Sequence, residues 1–185
     1  MACDVRTNGF YANHLIELFN DQFHSSEQTI LVGGGSEPIY LPCDKDHKYH
    51  RIVFREDFFS SALHEISHWC IAGYQRRQQV DFGYWYEPDG RNIKQQKLFE
   101  QVEIKPQALE WVLSQAAGKR FSPSSDNLLG ESKDLFDFKN AVYEQVQCYL
   151  HEGLPERALI FRDVIARHYQ RTSFLLPSFF QREAI

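Results

Sequence analysis

A chain of 185 residues is long enough to bury a sizeable core within one domain. With 43% apolar and 15% aromatic residues it is no disordered polymer, and a net charge of -5 leaves no broad basic surface for a dedicated nucleic-acid binder. Four cysteines, Cys3, Cys43, Cys70 and Cys148, lack any C-x-x-C spacing, which points to reduced thiols rather than a disulfide framework or a structural zinc site. No stretch joins a basic start to an apolar run with a small-residue cleavage site, and none approaches the length of a membrane span. The expectation is a soluble cytoplasmic protein without a membrane partner.

In chain order, residues 8–23 predict a first helix, with Phe10, Leu15, Leu18, Phe19 and Phe23 at helical spacing. Residues 29–32 predict a strand stopped by Gly33, Gly34 and Gly35; a phosphate loop is set aside because no Gly-Lys-Ser/Thr follows. A second strand is expected at 39–41 and a third at 50–55. Asp57 or Ser60 is placed to cap a helix over 58–72, which ends near Gly73. Arg76 and Arg77 read as a solvated helix end. The run 80–90 joins a dense aromatic strand to a turn bearing carboxylates. Asp89 is placed to cap a helix through 102, and Pro106 to open another running to 117. A polar loop at 122–127 precedes a long helix at 133–151, closed by Gly153. Pro155 opens a last helix to 169, and 171–185 form a tail whose apolar first half docks.

The stretch with the clearest chemistry lies inside the central helix: His64, Glu65, Ile66, Ser67, His68. Histidines four apart share one helix face with Cβ atoms roughly 5–6 Å apart. Both imidazoles can therefore reach one ion, while Glu65 is turned toward water bound there. With 8 His in the chain, chance alone supplies roughly 0.03 such H-E-x-x-H matches. The surrounding residues, Phe58, Phe59, Ala62, Leu63, Ile66, Trp69, Ile71 and Ala72, are apolar, so the polar trio needs partners. A carboxylate usually completes such a site. The metzincin continuation is missing after His68, which leaves Glu100, Glu103 and Glu110 as candidates for a third ligand. Zinc there would suit a peptidase with Glu65 activating water, and iron(II) would suit a hydroxylase with positions open to dioxygen. A module that keeps a structural metal without catalysis is the third class.

A longer set of residues bears on that choice. The run 64–73, then Asp81, Phe82, Gly83, Tyr84, Trp85 and Tyr86, then Pro88, Asp89, Gly90 and Arg91, then 102–111, resembles the bacterial elongation factor P hydroxylases over nearly the whole chain. The resemblance implies a metal-dependent non-haem oxygenase that hydroxylates the β-lysylated lysine of elongation factor P with dioxygen. Carried over by position, it implies His64, His68 and Glu103 as ligands and Glu65 as a group managing protons beside them. It implies iron(II), with zinc possible in purified protein. The chain departs from the familiar oxoglutarate-dependent oxygenases: it holds no H-x-D or H-x-E pair and its helices suggest no jelly roll, so 2-oxoglutarate does not follow as a cosubstrate. A cationic lysine needs an anchor beyond the reacting carbon, for which Asp81, Glu87 and Asp89 with Tyr84, Trp85 and Tyr86 are the candidates. The fold expected is α+β: one mostly helical, zincin-like catalytic domain spanning 1–185, with a small sheet beside the helix that carries the histidines.

Overall fold

The computed structural model describes residues 9–82, 93–123, 132–171 and 177–185. Five α-helices and a three-stranded sheet make up most of them. Helix α1 (Ala12–Phe23) starts after Tyr11, later than its sequence pattern suggests, and buries Ala12, Leu15, Phe19 and Phe23 along one stripe. Strands β1 (Thr29–Gly35), β2 (Ile39–Leu41) and β3 (His50–Arg55) follow. They lie in the order β1-β3-β2, with β3 parallel to β1 and antiparallel to β2. Alternation sends Leu31, Ile52 and Phe54 into the core.

The three glycines do not end β1 as expected; they carry it through an irregularity between Val32 and Gly35. Gly34 sits at φ +81, where L side chains are strained, and a Cβ on Gly35 would meet Val53 Cγ1 at 2.7 Å. Glycine is required here by backbone shape and close packing, so a stop signal in sequence is a bulge in space.

Helix α2 (Phe59–Ile71) packs against β3 through a short turn. Neither Asp57 nor Ser60 caps it; Phe58 is the N-cap residue and makes no side-chain cap. Ser61 Oγ instead accepts from the Arg55 backbone N–H at 3.2 Å, tying the end of β3 to the first turn of α2. At the other end Arg157 Nη2 donates to the carbonyls of Trp69 (2.8 Å) and Cys70 (3.2 Å). These are among the last carbonyls of α2, which have no partner within the helix.

Pro106 does not open a new helix. One continuous helix, α3 (Ile93–Ala117), runs through it. A proline inside a helix costs about 3 kcal/mol. The turns after it bury Leu109 and Leu113 in one apolar cluster and Ala108, Trp111 and Val112 in another. Each large apolar side chain so buried returns roughly 1.5–3 kcal/mol, so packing outweighs the break. The first cluster gathers α1, the sheet, α2 and α5 (Glu156–His168) around Phe19, Phe23, Trp69 and Phe161. The second joins α3 to α4 (Ser132–Glu152) through Phe138, Val142 and Val146. Phe180 of the tail is buried there, its ring 5.4 Å from Trp111. Gly153 (φ +99) follows α4, and Pro155 is the N-cap residue of α5. No helix among the described residues is long and apolar enough to cross a membrane.

Candidate metal centre

Helices α2 and α3 lie side by side. One turn of α2 presents His64 and His68, and α3 presents Glu103, Gln107 and Glu110, which share a face at i, i+4 and i+7. The two histidine Nε2 atoms are 3.1 Å apart. Glu103 Oε2 lies 3.3 Å from His64 Nε2, and its Oε1 lies 3.2 Å from His68 Nε2. The three side chains stand as a triangle, with one ligand atom from each within 4.8 Å of the others. Corners of a tetrahedron with metal–ligand bonds of about 2.0–2.1 Å stand roughly 3.3 Å apart, so the two ring nitrogens, and each nitrogen with its nearer carboxylate oxygen, are spaced like ligands of one ion. Among the described residues, His64, His68 and Glu103 are the group of potential ligands that come this close together.

The chemistry of the donors fits an ion as well. Glu103 is 3% exposed, and its Oε2 has no hydrogen-bond partner. A buried carboxylate oxygen in that state is costly unless something cationic faces it. Burial works against the charged form of Glu103, yet the neighbouring His68 and His64 and a hydrogen bond from Gln107 outweigh it and hold the carboxyl down to about 2. Burial likewise lowers the affinity of His64 for a proton, but the hydrogen bond to Glu110 and the charge of Glu103 override it and lift the ring to about 10. Glu65 moves the other way: burial raises its carboxyl, and the two histidines only partly offset that.

Of the three candidate carboxylates, Glu103 is the one brought to both Nε2 atoms. Glu110 accepts from the opposite nitrogen of His64, Nδ1, at 2.9 Å, across the ring from the triangle. Glu100 is turned to Gln96, whose Nε2 donates to it at 2.9 Å.

Two hollows flank His68. A small one, about 30 Å³, is bounded by Glu65, Tyr40, Arg76, Arg77 and Asp81 and has room for about one water. On the other side an open cleft of about 500 Å³ runs between the end of α2 and the middle of α3, past Gly73, Gln101, Lys105 and Gln145. Tyr84, Trp85, Tyr86, Glu87 and Asp89 lie outside the described residues. Asp81 is described, and it does not offer a free carboxylate: it pairs with Arg76, and its backbone bridges Tyr40 on the open edge of β2. Arg76 and Arg77 are no solvated helix end either. Arg77 donates to Glu27 at 2.7 Å, and both Arg77 and Arg157 stand over the Trp69 ring.

Sequence reasoning missed Arg157 altogether. One signal was present: it sits in the first turn of α5, where helix geometry favours anions, so a cation there has a use elsewhere.

A family model described as elongation factor P hydroxylase matches residues 18–179. A relative from Haemophilus influenzae, named elongation factor P lysine hydroxylase, is 53% identical over 155 residues, which is 84% of this chain and 87% of that protein. A match of that extent takes in α2, α3 and every residue of the triangle, and the chain belongs to the elongation factor P hydroxylase family.

Proposed function

We propose that this protein hydroxylates the β-lysylated lysine of elongation factor P, as a non-haem iron oxygenase in which His64, His68 and Glu103 hold the ion. The observation that carries the reading is the convergence of two imidazole nitrogens and an otherwise unpartnered buried carboxylate oxygen, in a member of this family. Iron(II) held there would supply the dioxygen chemistry that places one oxygen atom on a carbon of the substrate, with electrons from an external reductant. The chain supplies the rest. Glu103 and the two rings would hold the ion between α2 and α3, and the cleft that borders His68 would admit dioxygen and substrate. Glu65, whose carboxyl is raised by burial, holds a proton next to His68 and can release it as charge changes at the site.

The strand–turn–helix order of β3 and α2 supports a zincin-like arrangement put to oxygenase use. Helix α3, shared by both apolar clusters, supports one catalytic domain over 1–185. A translation factor as substrate supports a cytoplasmic location. The similarity to hydroxylases favours this reading over a zinc peptidase of the same motif.

Purified protein given iron(II), air, a reductant and β-lysylated elongation factor P should raise the substrate's mass by one oxygen atom on the modified lysine. His64→Ala and Glu103→Ala should abolish the gain and lower bound metal. Cleavage of peptides in the presence of zinc, with no oxygen added to the factor, would overturn the proposal.

A further inference from the structure

Resting on the metal site just proposed, we infer that Glu110 is a positioning residue: it fixes which nitrogen of His64 faces the ion and holds the ring in place. Its Oε2 lies 2.9 Å from His64 Nδ1. A carboxylate can only accept, so Nδ1 carries a proton, and Nε2, which faces Glu103 and His68, is the nitrogen whose lone pair is offered to an ion. The two ring nitrogens are on opposite sides of the imidazole, so Glu110 cannot itself reach an ion held in the triangle. Glu110 is 8% exposed and rides on the same buried face of α3 as Glu103, two turns on. One rigid helix therefore sets both a ligand and the partner of another ligand. Metal-bound histidines that lose such a partner typically lose about 10–100-fold in metal affinity.

The test uses the full chain and zinc alone as the probe, in competition with a chromophoric chelator. Glu110→Ala and the volume-keeping Glu110→Met should each weaken zinc binding about 10–100-fold, and Glu110→Gln, which keeps an acceptor for Nδ1–H, should restore most of it. Metal-free Glu110→Met should keep the wild-type helix content and a cooperative melt, at a lower temperature because His64 loses its buried partner. In proton–nitrogen spectra of the zinc-loaded protein, the His64 Nδ1 proton should be sheltered in wild type and Glu110→Gln and lost to exchange in Glu110→Met. Wild-type affinity in Glu110→Met would overturn the positioning role. So would a loss as complete as that in Glu103→Ala, which would make Glu110 a ligand, or a Gln variant no better than Met. Failure of the wild-type chain itself to bind zinc would bring down the metal site first, an outcome distinct from the others.

Discussion

Glu65 and His68, three positions apart, are neighbours on the surface of α2: both border the small hollow beside Tyr40 and Arg77, and His68 is the one that reaches Glu103. On the proposed function, His68 would hold the ion and Glu65 would handle a proton beside it. Glu65→Gln should leave bound metal at the wild-type level and slow hydroxylation by about 10²-fold or more, the usual scale of general acid–base catalysis. Metal analysis and turnover measured on the same preparation check it, and loss of metal would instead assign Glu65 a coordinating role. The charges at the triangle also set a pH dependence. The folded protein lifts His64 from 6.5 to about 10, so near neutral pH the metal-free ring carries a proton that an ion must displace. Apparent metal affinity should rise with pH, by about tenfold per unit from each proton displaced, until the pH nears the folded value for that ring. Affinity that does not change between neutral and mildly alkaline pH would contradict it.

At the scale of elements, the end of α2 rests on a group far away in sequence. Arg157 reaches from α5 to the last carbonyls of α2, stacks 4.6 Å from the Trp69 ring centroid, and has Glu27 near its other terminal nitrogen at 3.9 Å. Its side chain is 16% exposed, so these bonds are sheltered from solvent. Hydrogen bonds from a charged donor contribute about 1.5–3 kcal/mol each when water is excluded, less what the group forfeits in leaving water. Arg157→Met should therefore lower unfolding stability by about 2 kcal/mol, read from the urea midpoint of chelator-treated protein. An unchanged midpoint would mean the bonds contribute nothing net. The glycines of β1 and Pro106 of α3 illustrate how local signals are overridden. Both look like breaks, and both lie within continuous elements because neighbouring packing is worth more than the local preference.

At the scale of the whole molecule, charge arrangement bears on how a cationic substrate is taken in. The cleft beside His68 is bordered by Arg76 and Lys105 and, among the described residues, by no carboxylate. A lysine-bearing substrate therefore needs its counter-charge from elsewhere, and Asp81 is already paired. Glu87 and Asp89, which follow in the sequence and lie outside the described residues, are the proposed source. Glu87→Ala and Asp89→Ala should each raise KM for modified elongation factor P by about tenfold, equal to roughly 1.4 kcal/mol, with metal content unchanged. Equal KM in both variants would remove these residues from substrate capture.

The sequence by itself determined most of the elements and the histidine pair that α2 presents. Helical spacing in α1 and α2, alternation in β1 and β3, and two histidines one turn apart depend on neighbours within a few residues, and such patterns are readable without coordinates. Spacing along the chain left Glu100, Glu103 and Glu110 open, with Glu103 implied by family resemblance; which of them meets both histidines is decided by the tertiary structure. All three belong to one helix, and their different surroundings depend on its rotation against α2, which is set by apolar packing on two sides. Arg157 at the end of α2 was hidden for the same reason: 85 residues or more separate it from the carbonyls it serves, and only the folded chain brings them within reach.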